Sequence, residues 1–197
     1  MQPASPLFPP TEHHRIVVVG TTGSGKTTLA RQLAQRLGVP HVELDALHWE
    51  PGWTEAPTAV FRQRVAEALK SSSWAVDGNY HTVRDIVWSQ ANLVVWLDYR
   101  LPVLLWRLWQ RTIVRQLTRK ELWNGNRERF RANFLSRESI LLWQLQTYWR
   151  RRREYPQMLA LPEYSHLRVV RLRSPGETRR WLDGSFVPPA LSRSQPE

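Results

Sequence analysis

The sequence predicts an α/β fold in which helices cover both faces of a mostly parallel sheet. Short apolar runs rich in β-branched residues alternate along the chain with helical patterns. Several of these runs are apolar at every position, which is typical of strands buried on both faces. The 197 residues suffice for one domain with a sizeable core. We expect this domain to span 15–183, between proline-rich tails at 1–14 and 184–197 that we expect to be disordered.

The first predicted strand, Arg15 to Val19, leads into the stretch GTTGSGKT and then into a helix predicted over Thr28 to Leu37. The stretch fits G-x-x-x-x-G-K-[ST], the phosphate-binding P-loop. Its glycines let the backbone turn so that N–H groups and the positive end of the helix face phosphate oxygens. An ordinary glycine-rich turn is the alternative interpretation. The predicted phosphate-binding residues are Gly20, Thr22, Gly23, Ser24, Gly25, Lys26, Thr27 and Thr28, with Lys26 catalytic and Thr27 a Mg²⁺ ligand.

A second strand is predicted over Val39 to Leu44, and Asp45 follows it. Acidic residues at the carboxyl end of a strand lie where open α/β sheets bind ligands. Asp45 is therefore a candidate catalytic residue, as a general base or substrate contact; a helix cap or a solvated turn is the alternative. His48 is a weaker candidate. Trp49 to Thr58 is predicted to be a loop, and Thr58 to Lys70 an amphipathic helix.

The third strand, Trp74 to Asp77, ends in an aspartate downstream of the P-loop. This pattern predicts a carboxylate that holds Mg²⁺ directly or through water, and a turn aspartate is the alternative. Arg84, on the following helical turn, is a candidate contact for a substrate anion. The fourth strand is predicted over Leu93 to Asp98, with Asp98 turning into the next helix.

Arginines are concentrated in the second half of the chain. Arg107 and Arg111 share one helix face, since they are four residues apart, and are predicted to clamp a nucleotide. Residues 115–133 are predicted to form an arginine-rich excursion over the site, and residues 136–154 a long helix. Two of its four consecutive arginines, Arg150 and Arg153, are the pair expected to face the ligand, Arg150 for binding and Arg111 and Arg153 for catalysis; solvated basic faces are the alternative.

The chain is predicted to end in an edge strand over Leu167 to Leu172 and a short helix over Glu177 to Leu182. Cysteine is absent, which excludes disulfides, a cysteine-ligated zinc and a cysteine nucleophile, and favours a cytoplasmic location. We expect no membrane partner, because no apolar run reaches 18 residues. The formal charge of +11 comes almost wholly from arginine, and either a solvated basic face or weak, non-specific nucleic-acid binding fits it.

Together these residues resemble the adenylate-kinase-like P-loop kinases, and more narrowly the bacterial DNA topology modulation proteins. The narrower resemblance rests on VELDALHW at 42–49, VDGNY at 76–80, VWLD at 95–98, ELWNGN at 121–126 and REYP at 153–156. It implies a three-layer P-loop NTPase fold with a five-stranded parallel sheet in the order 2-3-1-4-5. It also implies a helical lid over about 112–153 and bound ATP and Mg²⁺. Glu43 and Asp45 resemble the acidic pair that shikimate-kinase-like enzymes present to a hydroxyl substrate.

The chain departs from adenylate kinases after the third strand, where Asp-Gly-Asn-Tyr stands in place of Asp-Gly-Phe-Pro-Arg. A nucleoside monophosphate is therefore not favoured as the acceptor. The sequence predicts an ATP- and Mg²⁺-dependent phosphotransferase that acts on a small molecule. An ATP-binding, nucleic-acid-associated protein is the alternative. Neither the acceptor nor the oligomeric state is predicted.

Overall fold

The computed structural model describes residues 13–118, 123–125 and 140–185, built around a five-stranded parallel sheet. Its strands are β1 (Arg15–Gly20), β2 (His41–Glu43), β3 (Trp74–Asp77), β4 (Leu93–Leu97) and β5 (Arg168–Leu172). They lie in the order β2-β3-β1-β4-β5, which confirms the predicted arrangement 2-3-1-4-5. The last strand is an edge strand, as expected. Because all strands run the same way, their carboxyl ends share one edge of the sheet.

Seven α-helices connect or flank the strands in the described ranges: α1 (Lys26–Leu37), α2 (Leu44–His48), α3 (Thr58–Ala68), α4 (Arg84–Gln90), α5 (Leu101–Thr118), α6 (Ile140–Leu159) and α7 (Pro175–Gly184). Gly38 ends α1 in a left-handed conformation, φ 66°, and its N–H donates to the Ala34 carbonyl. None of the helices in these ranges is both long and apolar enough to cross a membrane.

The core has two halves, one on each face of the sheet. Alternate side chains of the central strand β1 divide between them: Ile16 and Val18 pack on one side, Val17 and Val19 on the other. The first half includes residues of α1, α5 and α7, and the second includes residues of α3, α4 and the end of α6. Full burial of each such side chain contributes about 1.5–3 kcal/mol. Helices on both faces explain why the strands are apolar at every position.

Several elements differ from their predictions. The second strand is shorter than predicted, because Leu44 begins α2, and the last helix begins at Pro175 and not at Glu177. The predicted loop after α2 contains a small antiparallel pair of strands, Trp49–Glu50 and Thr54–Glu55. Helix α6 does not end at Glu154 but continues through Pro156 to Leu159. A proline removes one helical hydrogen bond. The burial of Tyr155 and the packing of Met158 and Leu159 against the core accompany the continuation.

The predicted arginine-rich excursion at 115–133 falls largely outside the described residues. Its first four residues belong to α5, and Trp123–Gly125 forms a short 3-10 turn. The predicted tails at 1–14 and 184–197 also lie outside the described residues, except for residues 13–14 and 184–185.

Candidate active site

The loop between β1 and α1 has the backbone conformation that the P-loop pattern predicts. Gly20, Gly23 and Gly25 have φ angles of 151°, 79° and 91°, which side-chain-bearing residues rarely adopt. A Cβ atom at Gly20 would also lie 2.7 Å from the Leu97 carbonyl oxygen. The loop therefore requires glycine at these turns. Thr22 is half-buried, Ser24 is buried and Thr28 is exposed in the first turn of α1.

Lys26 lies at the start of α1, where its ammonium is surrounded by charged side chains. The pKa of Lys26 is lowered to about 8, mainly by loss of solvent and also by the cations Arg151 and Arg111. The carboxylates of Asp45 and Asp77 partly offset this effect by raising the pKa of Lys26. These effects indicate that two carboxylates and two guanidinium groups converge on the P-loop lysine. Such a site is suited to an anionic ligand.

Thr27 and Asp77 are joined directly across the carboxyl edge of the sheet. The Thr27 hydroxyl donates a 2.6 Å hydrogen bond to Asp77 Oδ2, and the imidazole Nε2 of His41 lies 2.7 Å from Asp77 Oδ1. The Asp77 side chain is only 2% exposed. The hydroxyl and carboxylate oxygens are the hard ligands that Mg²⁺ prefers, so this pair fits the cation that a P-loop site uses.

Asp45 lies in the first turn of α2, and Glu43 is the residue that caps this helix. The Tyr80 hydroxyl donates a 2.6 Å hydrogen bond to Asp45 Oδ1. Burial, followed by the charge of Asp45, raises the pKa of Tyr80, so the phenol stays protonated as a donor. This bond fixes one carboxylate oxygen of Asp45.

Asn79 connects the P-loop to the helix that returns from the arginine-rich region. Its side-chain amide donates to the Gly20 carbonyl (2.6 Å), and its oxygen accepts from the Gly20 N–H (3.2 Å). The Tyr155 hydroxyl of α6 donates to the same oxygen at 2.9 Å. Gly78, just before it, has a φ of 145° and lets Leu44 approach closely, since a Cβ atom there would lie 2.7 Å from the Leu44 Cβ.

The two arginines of α5 lie beside the P-loop as expected from their spacing. Arg107 donates a 3.0 Å hydrogen bond to the Ser24 carbonyl, and its guanidinium lies 5.4 Å from the Tyr99 ring centroid. Arg111, one turn later, is close enough to Lys26 to lower its pKa. Arg107 thus contacts the loop backbone, whereas Arg111 lies near its lysine.

The expected inward pair on α6 is wrong. Arg150 and Arg153 are exposed, and Arg150 pairs with Glu154 at 3.6 Å on the outer surface. Arg151 and Arg152 are turned inward instead. The physical reason is the phase of the helix, because the buried Tyr148 and Tyr155 mark its inner face, and positions three or four residues away share that face.

The inner arginines of α6 have different surroundings. Arg151 lies near Lys26 and lowers the pKa of the lysine. Arg152 pairs with Asp98 at 2.9 Å, and Arg171 of the edge strand pairs with the same carboxylate at 2.6 Å. Asp98 was expected only to turn the chain into α5, whereas it binds two arginines that are distant in sequence.

A narrow cleft runs from the carboxyl end of β1 past the end of β3. It is lined by apolar side chains, including Leu44 and Trp88, and by four polar residues, Asn79, Tyr80, Arg84 and Tyr155. Arg84 is half-buried, and its guanidinium lies 5.4 Å from the Trp88 ring centroid. No carboxylate of the described residues lies within salt-bridge distance of Arg84.

A cluster of aromatic rings around His48, at the end of α2, lies near this cleft and the small hairpin that follows α2. His48 contacts the rings of Trp49, Phe61 and Tyr80, with centroids 4.5–4.9 Å apart. Its Nε2 lies 3.9 Å from Glu55. The Asn124 side-chain amide donates to the Trp49 carbonyl, so the described part of the segment between α5 and α6 reaches the hairpin.

Several of these residues were missed from the sequence. Asn79 and Tyr80 directly follow Asp77 at a strand end, which is a signal that could have identified them. Arg151 could have been found from the spacing of Tyr148 and Tyr155. His41 has no comparable signal, because its contact with Asp77 spans 36 residues and depends on strand pairing.

Comparison with known proteins places this site in a family. Residues 16–128 match the family described as AAA domain (AAA_18). A shikimate kinase from Synechococcus elongatus is 33% identical over 136 residues, which cover 58% of this chain and 72% of that protein. A shikimate kinase from Ruegeria pomeroyi is 56% identical over 34 residues, 17% of each chain. A gluconokinase structure from Sinorhizobium meliloti 1021 is 22% identical, covers 87% of this chain and 91% of that chain, and has a TM-score of 0.49.

These relatives correct the narrower resemblance. They support a P-loop kinase family and not the DNA topology modulation proteins. The matched region contains the P-loop, Asp45, Asp77 and both α5 arginines. The chain therefore belongs to the AAA domain family and is a P-loop protein of the kinase type.

Proposed function

We propose that this protein is an ATP- and Mg²⁺-dependent phosphotransferase that phosphorylates a hydroxyl group of a small acidic molecule. One observation carries the proposal: Lys26, the Thr27–Asp77 pair and Asp45 meet where the parallel strands end, beside a cleft that holds an arginine. The curated relatives named shikimate kinase support the same reaction class.

The P-loop residues would hold the nucleotide. Phosphoryl transfer requires little covalent chemistry from the protein and depends on positioning and electrostatic stabilisation. The N–H groups of the glycine-rich turn and of the first turn of α1 would bind phosphate oxygens, except those of Gly20 and Ser24, which already donate to Asn79 and Thr21. Lys26 would neutralise the charge on the transferred group. Thr27 and Asp77 would hold Mg²⁺, which would supply positive charge to neutralise the negative charge that develops during transfer. Arg111 and Arg151 would add positive charge on the side that faces α5 and α6.

Asp45 would orient the acceptor and accept its proton. The Tyr80 hydroxyl occupies Oδ1, which leaves Oδ2 for a substrate hydroxyl. A general base must lie within hydrogen-bond reach of the proton that it removes. Because Asp45 also acts on the pKa of Lys26, its carboxylate is close to the place where the transferred phosphate would lie.

Arg84 supports an acidic acceptor. A half-buried guanidinium in a cleft, with no carboxylate of the described chain in salt-bridge distance, is a site for a substrate carboxylate or phosphate. A neutral sugar would leave this charge without compensation. The acceptor is therefore a small molecule that carries both a hydroxyl and an acidic group.

A screen for ADP release tests the proposal. Hydroxy acids, sugars, nucleosides and nucleotides are compared with Mg-ATP in a coupled assay, with shikimate and gluconate among the acids. We expect acceptor-dependent ADP release with an acid and a large loss of kcat in Asp45→Asn, about 10²–10⁴-fold for removal of a general base. We expect Arg84→Gln to raise KM for the acid, and Arg150→Gln, on the exposed surface, to behave as wild type.

Two outcomes would contradict the proposal. Acceptor-dependent ADP release with neutral sugars alone would overturn the acidic acceptor. Equal turnover in wild type and Asp45→Asn would remove the assigned base.

A further inference from the structure

The metal carboxylate has a second partner that the proposed mechanism does not use. His41 is the first residue of β2, which pairs with β3 in parallel so that His41 lies opposite Ala75 and Glu43 opposite Asp77. Its Nε2 lies 2.7 Å from Asp77 Oδ1, and its side chain is 17% exposed. An ionised carboxylate only accepts hydrogen bonds, so the imidazole nitrogen is the donor.

We propose that His41 is a positioning residue that fixes the Asp77 carboxylate and thereby sets the affinity of the site for Mg²⁺. The inference rests on the proposed function, because it takes Asp77 and Thr27 as the metal-binding pair.

The geometry explains how His41 would act. The two oxygens of Asp77 accept hydrogen bonds from two different elements, Oδ2 from Thr27 on α1 and Oδ1 from His41 on β2. The carboxylate cannot rotate without breaking one of these bonds. Each carboxylate oxygen has two acceptor positions, so the Thr27 and His41 hydrogen bonds fix the plane of the carboxylate and still leave Oδ2, on the Thr27 side, one position for the metal or its water.

The fixed orientation of the Asp77 carboxylate should affect Mg²⁺ binding. The ion requires nearly ideal octahedral geometry at short distances, so a carboxylate that turns freely binds it poorly. Groups that orient a metal ligand from behind typically change metal affinity by about 10–100-fold when they are removed. Because strand pairing fixes the backbone of His41, the imidazole is a rigid support.

The alternative is a purely structural role, in which His41 only satisfies a buried carboxylate. In that case removal of the imidazole lowers stability but leaves the metal affinity of the folded protein unchanged. The two roles therefore differ in a binding measurement and not in a melting curve.

The experiment uses three substitutions at His41 in the full chain. The amide nitrogen of glutamine occupies nearly the position of Nε2, so His41→Gln keeps the donor. The amide of asparagine is too short to reach Asp77, and His41→Leu has no donor. The matched control is His13→Gln, because His13 is exposed at the start of the described chain.

Calorimetry measures the Mg²⁺ concentration that half-saturates the binding of a non-hydrolysable ATP analogue, and Mn²⁺ binding followed by electron paramagnetic resonance provides a second readout. We expect the half-saturating Mg²⁺ concentration of His41→Leu and His41→Asn to be at least about tenfold higher than that of wild type. We expect His41→Gln to stay close to wild type and His13→Gln to match it. Binding of the analogue without metal should be the same in all variants.

The outcomes distinguish a failure of the positioning role of His41 from a failure of the proposed kinase function. If wild type responds to Mg²⁺ and folded His41→Asn responds identically, the positioning role is overturned and the kinase proposal stands. If His41→Gln is as impaired as His41→Asn, donation to Oδ1 is not the cause, and the inference is again overturned. If wild type shows no Mg²⁺-dependent nucleotide binding, both are overturned. Should His41→Leu not fold, the comparison of glutamine with asparagine decides alone.

Discussion

At the scale of single residues, the charge of Lys26 is the property on which nucleotide binding depends most directly. Loss of solvent and the neighbouring Arg151 and Arg111 lower the pKa of Lys26 from 10.5 to about 8. A bound triphosphate brings negative charge that favours the protonated lysine. Protonation and nucleotide binding at this site are therefore coupled.

This coupling predicts a pH-dependent affinity. In the ligand-free protein Lys26 loses its proton as the pH rises through about 8, so nucleotide binding above that pH must take up a proton. We expect the Kd for Mg-ATP to rise about tenfold from pH 7 to pH 9, with proton uptake visible as a buffer-dependent heat in calorimetry.

Lys26→Arg is the matched control for this prediction. Its guanidinium stays charged throughout the range, so we expect its Kd to remain level between pH 7 and pH 9. A wild-type Kd that is constant over the same range would contradict the lowered pKa.

At the scale of elements, Asp98 connects three parts of the fold that are distant in sequence. It follows β4, and its carboxylate is 2% exposed and bound by Arg152 of α6 and Arg171 of β5. The two arginines remain about one third exposed, at 31% and 35% of their side chains. Asp98 therefore holds the return helix and the edge strand to the centre of the sheet.

Removal of this charge should destabilise the fold without affecting the nucleotide directly. We expect Asp98→Asn to lose about 2–3 kcal/mol of unfolding free energy, because hydrogen bonds to charged groups contribute about 1.5–3 kcal/mol. The loss is no larger because the two freed arginines regain hydration. Urea denaturation measures the loss. Arg150→Gln, which removes the exposed pair with Glu154, should change stability by less than about 0.5 kcal/mol. An equally small effect of Asp98→Asn would refute the anchoring role.

Helices α5 and α6 carry the arginines that we expect to form the base of a lid. Arg111 and Arg151 repel Lys26 in the ligand-free protein, and bound phosphates would supply the opposing charge. We therefore predict that a non-hydrolysable ATP analogue increases hydrogen-exchange protection across 101–118 and 140–159.

The matched pair for the lid prediction lies on adjacent positions of α6. Arg151→Gln should lose most of the nucleotide-dependent protection, whereas Arg150→Gln, on the outer face, should keep it. Protection that does not rise with the analogue in wild type would mean that these helices do not close on the nucleotide.

The elements also show how far the sequence predicts this structure. Strand β3 was predicted with its observed bounds and β4 to within one residue, because buried parallel strands are continuous apolar runs. The course of α6 through Pro156 and the inward position of Arg151 were not predicted, since both follow from the packing of Tyr148 and Tyr155 against the core. Tertiary contacts, such as His41 with Asp77, have no signature in a single segment.

At the scale of the whole molecule, the net charge of +11 is the property that bears on nucleic acid. Part of this charge is used within the fold, as at Asp98, and part lies beside the P-loop. We predict weak DNA binding that is independent of sequence and falls steeply as salt rises, because such binding comes from counterion release.

Fluorescence anisotropy with duplexes of different sequence, between about 50 and 200 mM salt, checks this prediction. A tight complex with one sequence at the higher salt concentration would favour a nucleic-acid-associated role instead. Equal, weak binding of all duplexes would indicate that the positive charge serves the nucleotide site and the solvated surface, and not a specific nucleic-acid partner.

The central claim is that the loop at 20–27 binds Mg-ATP through Lys26, and calorimetry of wild type against Lys26→Ala tests it most directly without a known acceptor. Lys70→Ala, which removes an exposed lysine that pairs with Glu67, is the control. We predict that wild type and Lys70→Ala bind Mg-ATP equally, and that Lys26→Ala binds at least about tenfold more weakly, since a charge-assisted phosphate contact contributes about 1.5–3 kcal/mol. Equal affinity in Lys26→Ala and wild type would contradict the claim.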